Sequence, residues 1–345
     1  MTCLCFLGDV WLSSPVKCNV TFPGGVIFNL EAPITKSRRP APGKINLKAE
    51  KNWIPHTFGQ TPLAACLANN HTMDYGEDGF HETLASLEEN GIKHFGAGSL
   101  EENCNNPLIS QVGGLKVALM GYVAEDTIPI TASERNQGPM AMDLERMLAD
   151  IDTARKAEAD RIIVSIHWGD EEVYLPRTDA IRTAHRLIEG GADLIIGHHA
   201  HRIQPYEVYR GKYIFYGLGN CLFHEPEVPF PSYFDEAGQP TRMYRGRLHH
   251  WNHLSLAVFF ELETGCVEVS VLKGDNTALN LTRQNAKRHL TEFSSLEGHD
   301  RRFRRSRVLG KLKTSLSSYL SHPKVPRLRH LRSILRLLSR RDDLY

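Results

Sequence analysis

Five short apolar runs in this 345-residue chain each end directly in a cluster of polar side chains. Such runs are typical of strands in a parallel sheet that is buried on both faces, although periodicity alone does not separate them from buried helix. Helical patterns at 77–90, 140–158 and 177–189 alternate with them, which predicts βαβ units and an α/β fold. The five runs lie at 4–7, 26–28, 63–67, 162–166 and 192–196.

The pattern changes after residue 202. Runs at 206–209, 212–216, 253–261 and 266–272 are linked in part by short glycine turns, which predicts antiparallel strands. Residues 223–248 are rich in proline, glycine and charge, and we predict a long loop there, of the kind that often covers a site.

The polar clusters at the ends of the apolar runs share one chemistry, because they offer carboxylate, amide and imidazole groups and no cysteine. The carboxyl ends of parallel strands lie at one edge of an open α/β sheet, where ligands bind. Oxygen and imidazole donors favour Mn, Fe or Zn over a structural thiolate zinc site. Each cluster alone fits a strand-end cap better than a site, but five in sequence favour a site for one or two divalent ions. The clusters contain Asp9, Asn29, Glu31, Asn69, Asn70, His71, His167, His198, His199 and His201.

Further carboxylates follow these clusters at short spacing. Asp74 comes three residues after His71, where it either orients that ring or caps the helix predicted at 77–90. Asp170 and Glu171 stand close to His167. They are either solvated loop charges, supports for the metal ligands, or contacts for a cationic substrate.

Composition restricts the classes of protein that this chain can be. No run of 18 apolar residues exists, so the sequence offers no candidate for a transmembrane helix. The first residues lack the basic and apolar regions of a secretory signal. The seven cysteines are odd in number and include no Cys-x-x-Cys pair, which indicates reduced thiols. We therefore predict a cytoplasmic protein, or one that is peripheral to the inner face of the membrane.

The net charge of +1 hides an asymmetry along the chain. Residues 299–345 carry fourteen Lys and Arg and three Asp, a net charge of +11, whereas residues 1–298 carry twenty-seven Lys and Arg and thirty-seven Asp and Glu, a net charge of −10. We predict a body over 1–298 and a basic tail over 299–345. The tail contains an amphipathic helical pattern with apolar positions at Leu328, Leu331, Ile334, Leu335 and Leu338.

A basic amphipathic helix suits an anionic membrane surface, a partner protein or an acidic polymer, and it can also fold back onto an acidic body. The tail has few aromatic residues for base stacking, and no nucleic-acid-binding motif accompanies it. We therefore predict no nucleic-acid partner.

Three longer stretches go beyond this generic chemistry. They are NNHTMDYG at 69–76 with GIKHFGAG at 91–98, SIHWGDE at 165–171, and a stretch from GGAD at 190–193 through GHHAH at 197–201 to IFYGLGN at 214–220. Together with GDV at 8–10 and NLE at 29–31, they resemble the bacterial capsule-synthesis CapA family over about residues 3–275, in the family's order. That family is associated with poly-γ-glutamate capsule formation and has a calcineurin-like metallophosphoesterase fold.

The resemblance implies a four-layer αββα sandwich with mixed sheets and a metal centre at the strand ends. It implies that His71 assists the leaving group, and it leaves open whether His198 or His199 is the ligand. From its spacing to His71, we count Asp74 as a candidate catalytic residue beside it. By position, the metal ligands are Asp9, Glu31, Asn70, His167, His199 and His201. From their positions beside these residues, our candidates for substrate binding are Asn29, Asn69, Trp168, Asp170, Glu171, His198 and Asn220.

One departure from the metallophosphoesterase pattern concerns the metal count. Typical metallophosphoesterases begin Asp-x-His with both residues binding metal, whereas this chain has Asp9-Val10-Trp11. Tryptophan cannot ligate, so one of two metal positions is expected to be weak or empty.

Our leading hypothesis is a metal-dependent hydrolase-like enzyme in the biosynthesis of a capsule or a poly-γ-glutamate-type anionic polymer. In this hypothesis a metal-activated water attacks a phosphoryl or acyl centre. The partners are the anionic polymer or its precursor, and a capsule synthase or the membrane surface through the tail. One alternative is a non-catalytic polymer-binding or assembly factor for a capsule synthase. Another is a general cytoplasmic phosphodiesterase.

Overall fold

Two large β-sheets stack in the computed structural model of this chain, which describes residues 2–127, 129–244, 248–282, 291–293, 296 and 298–309. The strands in this part of the chain are β1 (Cys3–Trp11), β2 (Lys17–Cys18), β3 (Gly25–Leu30), β4 (Ala64–Cys66), β5 (Lys93–Phe95), β6 (Ala97–Gly98), β7 (Leu108–Val112), β8 (Leu115–Val123), β9 (Gly138–Pro139), β10 (Arg161–His167), β11 (Leu194–His198), β12 (Tyr206–Tyr209), β13 (Lys212–Phe215), β14 (Asn220–Phe223), β15 (Phe230–Phe234), β16 (Pro240–Tyr244), β17 (Leu254–Glu261), β18 (Val267–Gly274) and β19 (Ala278–Leu281). The α-helices are α1 (Ile54–Phe58), α2 (Gly76–Glu89), α3 (Leu144–Lys156) and α4 (Thr178–Gly190), and residues 299–309 are also helical.

The first sheet is built around β1. This strand pairs in parallel with β3 and β14 and antiparallel with β17. The sheet has the order β2-β19-β18-β17-β1-β3-β4-β5, with β14 as an additional partner of β1. The register sets Asp9 opposite both Asn29 and Asn220. Polar residues at three strand ends therefore lie side by side.

The second sheet has the order β12-β13-β11-β10-β8-β7. Its inner strands β8, β10, β11 and β13 are parallel, and β7 and β12 pair antiparallel at its two edges. The register pairs His167 with His198 where β10 and β11 end. This sheet therefore delivers two histidines to one point on its edge.

Alternating side chains of the strands fill three separate layers of core. In β1, Leu4 and Phe6 pack between the sheets, whereas Cys5 and Leu7 face the outer helix α2, as the two-residue period of a strand requires. The second sheet does the same, with Ile163 between the sheets and Val164 against α3 and α4. The layers thus follow the order helix, sheet, sheet, helix, and the predicted four-layer αββα sandwich is confirmed.

The predicted loop at 223–248 is wrong in part, because it contains the hairpin of β15 and β16. Its turn is closed by hydrogen bonds from Asp235 N to the Gln239 carbonyl and from Gly238 N to the Asp235 carbonyl, with Gly238 at φ +72°. The hairpin also pairs with the irregular segment 41–46, where Asn46 N donates to the Ser232 carbonyl over 2.6 Å. The two strands pair with each other across this turn, and the nonlocal contact with segment 41–46 adds to that pairing.

The first residues of the predicted basic tail contact the body. His299 is buried, its Nε2 atom donates to the Pro176 carbonyl over 2.8 Å, and Arg307 lies 3.4 Å from Asp170. The amphipathic pattern at 328–338 lies outside the described residues, and the division at 298 stays a prediction. No helix in the described part of the chain is long and apolar enough to cross a membrane.

Candidate metal centre

The ends of β1, β3, β4, β10 and β11 bring the polar clusters of the sequence to one place. Asp9 lies in β1, and Glu31 and Asn70 follow β3 and β4. Beyond β11 the backbone turns through His199 at φ +82° and His201 at φ +52°. Residues other than glycine seldom adopt this left-handed conformation, and such strain concentrates at functional sites. The turn brings both imidazoles to the same edge as the carboxylates.

One group of potential metal ligands consists of Asp9, Glu31 and His167, which are all buried. One donor atom of each lies within 4.8 Å of the others. Asp9 Oδ2, Glu31 Oε1 and His167 Nδ1 are buried and have no hydrogen bond. Burying carboxylate oxygens without partners is costly, and a divalent cation between them would satisfy both. The residues present therefore fit a metal ion.

Asn29 and Asn69 lie behind these carboxylates and hold them in place. Asn29 Nδ2 donates to Asp9 Oδ1 over 2.8 Å and to Glu31 Oε2 over 2.6 Å. Asn69 Nδ2 donates in turn to Asn29 Oδ1 over 3.0 Å. These bonds occupy one oxygen of each carboxylate and leave the other for a cation. The substrate-binding role predicted for both amides stays a prediction.

A second group consists of Glu171, His199 and His201, again with one donor atom of each within 4.8 Å of the others. Glu171 is exposed and His199 is buried. The sequence predicts Glu171 as a substrate contact, a support for the ligands or a solvated loop charge, and the structure makes it a candidate ligand itself. Carboxylate and imidazole donors of this kind suit Zn, Mn or Fe.

Trp11, which stands where the related pattern has histidine, has a packing role. It is 2 % exposed, its Nε1 atom donates to the Lys48 carbonyl over 2.9 Å, and its ring packs edge-on against Phe223. An imidazole nevertheless reaches Asp9, because His201 Nδ1 lies 3.3 Å from Asp9 Oδ2. A later strand end thus supplies nitrogen near this carboxylate.

The two groups meet at His167. Its Nε2 atom lies 2.9 Å from Asn70 Oδ1, 3.1 Å from His199 Nδ1 and 3.8 Å from Glu31 Oε1. Five of the six predicted metal ligands belong to the two groups, and the sixth, Asn70, touches His167 directly.

The arrangement shifts the pKa values of the carboxylates in opposite directions. Burial raises the pKa of Asp9, but the neighbouring imidazoles of His198 and His201 outweigh it and hold that pKa well below its usual range. Burial and the neighbouring charge of Asp9 raise the pKa of Glu31 to about 8. Without a cation, the centre therefore cannot easily hold both negative charges.

The pKa values of the imidazoles also differ, because their surroundings differ. Burial and the neighbouring His199 hold the pKa of His167 well below its usual value. Burial lowers the pKa of His199 to about 4. Both rings are therefore neutral at physiological pH, which is the form that binds metal. Burial would lower the pKa of His201, but the Asp9 and Glu31 carboxylates raise it well above its usual value.

His71 and Asp74 form a buried pair beside the ligands. His71 Nδ1 donates to Asp74 Oδ2 over 2.6 Å, and the backbone N–H of His71 donates to Asn69 Oδ1 over 2.9 Å. The ring is thereby fixed with Nε2 as the nitrogen available to a substrate. The Lys44 ammonium also donates to the Asp74 carboxylate, a contact that the sequence does not predict.

The remaining predicted site residues lie around the ligands. His198 Nδ1 donates to Asp9 Oδ1 over 3.0 Å, so His198 supports a ligand while His199 joins a ligand group. Asn220 Oδ1 accepts from His201 Nδ1 over 2.9 Å. Trp168 is buried, and its Nε1 atom donates to the Tyr216 carbonyl over 3.0 Å. Their predicted substrate contacts, and that of Asp170, stay predictions.

Comparison with known proteins places this geometry in a family context. The chain is 30% identical over 219 residues to the capsule biosynthesis protein CapA of Bacillus anthracis, which covers 61% of this chain and 53% of that protein. It is 32% identical over 203 residues to the PGA biosynthesis protein CapA of Bacillus subtilis, covering 58% and 53%. The chain thus spans about half the length of the curated relatives it matches.

Solved structures that match this chain include a 5'-nucleotidase precursor from Thermus thermophilus, at 13% identity and a TM-score of 0.42, covering 91% of this chain and 59% of that one. A 5'-nucleotidase from Candida albicans gives 11% identity and a TM-score of 0.40, covering 86% and 49%.

A family model, described as bacterial capsule synthesis protein PGA_cap, matches residues 25–225. The match covers more than half of the chain, and it includes every predicted metal ligand except Asp9. The chain belongs to the bacterial capsule synthesis protein PGA_cap family.

Proposed function

We propose that this chain is a metal-dependent hydrolase that acts in the biosynthesis of a capsule or a poly-γ-glutamate-type anionic polymer. One observation carries the proposal: Asp9 Oδ2 and Glu31 Oε1 are buried without hydrogen bonds beside the buried His167. The His201 ring lies 3.3 Å from Asp9 Oδ2 and 3.7 Å from Glu31 Oε1 but makes no hydrogen bond to either oxygen. Packing alone does not explain two buried carboxylate oxygens without hydrogen bonds.

The two ligand groups would each hold one divalent cation, Mn, Fe or Zn. Asp9, Glu31 and His167 would bind the first, and Glu171, His199 and His201 the second, with Asn70 at their junction. A cation bound there supplies a Lewis acid that activates water and polarises a phosphoryl or acyl oxygen.

The protein's own contribution to turnover is proton transfer and orientation. Asp74 accepts the Nδ1 proton of His71 over 2.6 Å, so the imidazolium form of the ring carries its second proton on Nε2 and gives that proton to the leaving group of the substrate. The Asn29 amide keeps two carboxylates in register, so the ligand oxygens are oriented before any ion arrives.

The relatives support the biological context. Both Bacillus relatives are named for capsule or PGA biosynthesis, and a protein of Mycobacterium tuberculosis, 32% identical over 57% of this chain and 54% of its own length, is named as a probable polyglutamine synthesis accessory protein. We infer an anionic polymer or its precursor as substrate and the synthesis machinery as partner. The tail as a contact for a synthase or membrane, and the cytoplasmic or membrane-peripheral location, stay predictions.

The test is turnover by the full chain after reconstitution with Mn, Fe or Zn. Hydrolysis is measured on a generic phosphodiester and on a γ-linked glutamate oligomer, for the wild type, Glu31→Gln and the control His81→Ala, whose side chain is exposed on α2. The proposal expects turnover that Glu31→Gln abolishes and His81→Ala keeps. Metal binding without turnover of either substrate would overturn it. Salt-sensitive binding of the oligomer would then favour the assembly-factor alternative.

A further inference from the structure

The ammonium of a partly buried lysine, Lys44, contacts the turn that carries Asn70 and His71. The ammonium of Lys44 donates to the Asp74 carboxylate and to the backbone carbonyl of Asn70. The Lys44 side chain is 12 % exposed and that of Asp74 is fully buried. Lys44 therefore bridges the two ends of the segment that presents His71 to the metal ligands.

The Asp74 carboxylate is oriented by three donors. Its Oδ1 atom accepts from Lys44, while its Oδ2 atom accepts from His71 Nδ1 and from Leu47 N, each over 2.6 Å. A carboxylate fixed in this way determines which ring nitrogen of its histidine carries the proton and where the other nitrogen points.

Lys44 is itself held by a chain of contacts that ends in the β15–β16 hairpin. The side chain of Asn46 is buried, and its Nδ2 atom donates to the carbonyls of Lys44 over 3.0 Å and Ser232 over 3.3 Å. Gly43 N donates to the Phe234 carbonyl over 3.0 Å. The hairpin thus fixes the tight segment from which Lys44 reaches Asp74.

We propose that Lys44 is a positioning residue for the proton-donating pair, holding Asp74 and the Asn70 backbone so that His71 presents Nε2 to the substrate. The proposal rests on the proposed hydrolase function for its kinetic consequence. The orientation of the His71 ring, however, is a property of the resting protein and can be measured without turnover.

The experiment compares full-length Lys44→Met, which keeps the length of the side chain and removes its charge, with Lys44→Arg and with Lys48→Met. Lys48 is the matched control, because it lies in the same segment and contacts the Ser37 carbonyl, Glu50 and the ring of Tyr75. Histidine-selective ¹⁵N NMR reports which nitrogen of His71 is protonated, with the signal assigned through His71→Gln. Metal content and kcat and KM are measured on the same samples.

We expect Lys44→Met to change the protonation pattern of the His71 ring and to lower kcat by about 10- to 100-fold at unchanged KM and metal content. Lys48→Met should match the wild type in every readout, and Lys44→Arg should recover much of the loss. An unchanged His71 spectrum in folded Lys44→Met would overturn the proposal.

If Lys44→Met does not fold, Lys44→Gln takes its place, because it keeps one donor. It should then show a partial shift of the His71 signal, and a spectrum identical to that of the wild type would contradict the proposal in the same way.

Failure of the hydrolase proposal has a different signature. In that case the wild type and Lys48→Met bind metal without turnover, while the His71 spectrum still distinguishes Lys44→Met from the wild type.

Discussion

Glu31 destabilises the metal-free protein in a way that depends on pH. Burial and the charge of Asp9 raise the pKa of Glu31 from 4.5 to about 8. At about 1.36 kcal/mol for each step of one in pKa, this rise corresponds to at most roughly 5 kcal/mol. Below pH 4.5 the group is protonated in both the folded and the unfolded chain and has no effect on stability. As the pH rises towards 8, only the unfolded chain releases the proton, so the folded state loses stability.

Replacing Glu31 by glutamine removes this penalty and keeps an oxygen that can accept from Asn29. We expect metal-free Glu31→Gln to match the wild type near about pH 4.5 and to exceed its free energy of unfolding by about 2–5 kcal/mol at about pH 8.5. In the metal-loaded protein the order reverses, because the variant has lost a ligand and with it part of the stabilisation that binding provides.

The assay is urea unfolding across this pH range, with a chelator and with bound metal, and with His81→Ala as the control for a change on the exposed face of α2. A difference between Glu31→Gln and the wild type that stays constant with pH in the metal-free protein would refute the reasoning. So would a variant that remains the more stable protein when metal is bound.

Three further predictions concern single side chains. His71→Gln should keep the metal content of the wild type and lower turnover by about 10²- to 10⁴-fold, and loss of metal would count against its role as proton donor. Phe80 is fully buried between α2 and the first sheet, and Phe80→Ala leaves a cavity there. This variant should lower the free energy of unfolding by about 3–5 kcal/mol in urea titrations. A loss below about 1 kcal/mol would contradict the packing. Trp11→Phe leaves the Lys48 carbonyl without its donor and should lower the free energy of unfolding by about 1–3 kcal/mol, with the metal content unchanged. An altered metal count in elemental analysis would show that Trp11 acts on the metal centre.

The strands that end in the site could be predicted from the sequence because their signal is local. The run at 162–166 became β10 (Arg161–His167) and the helix expected at 177–189 became α4 (Thr178–Gly190). Continuous apolar runs and glycine stops are properties of a few neighbouring residues, and burial on both faces reinforces them. The antiparallel pairing of β17 (Leu254–Glu261) with β18 (Val267–Gly274) was predictable for the same reason.

β8 (Leu115–Val123) lies between β10 and β7 in the second sheet, and it is absent from the strands predicted from the sequence. Its run is apolar, but no histidine or amide cluster follows it, so a search for apolar runs that end in such clusters does not identify this strand. The β15–β16 hairpin was missed for a different reason, because its pairing with segment 41–46 is nonlocal.

The composition of the site was predictable, whereas its division into two ligand groups was not. Glu171 reaches His199 and His201 because its neighbour Glu172 is fixed from elsewhere: Glu172 N donates to the Ala200 carbonyl over 3.0 Å, and Asn252 Nδ2 donates to Glu172 Oε1 over 2.8 Å. No local pattern encodes these contacts.

The choice between adjacent histidines also depends on the backbone. His198 ends β11, and His199 follows it in the left-handed region at φ +82°. The two rings therefore take different directions, one onto Asp9 and the other into a ligand group. A sequence alone gives the residue types at such a turn but not its dihedral angles.

The most direct test of the account is the number of metal ions that the folded chain binds. Elemental analysis after reconstitution with Mn, Fe or Zn should give about two equivalents of metal per chain for the wild type. His167→Ala and Glu171→Gln should each reduce that number, because each variant removes a ligand from one group. A wild-type protein that binds no metal under any of these conditions would contradict the central claim that this edge of the two sheets is a metal centre.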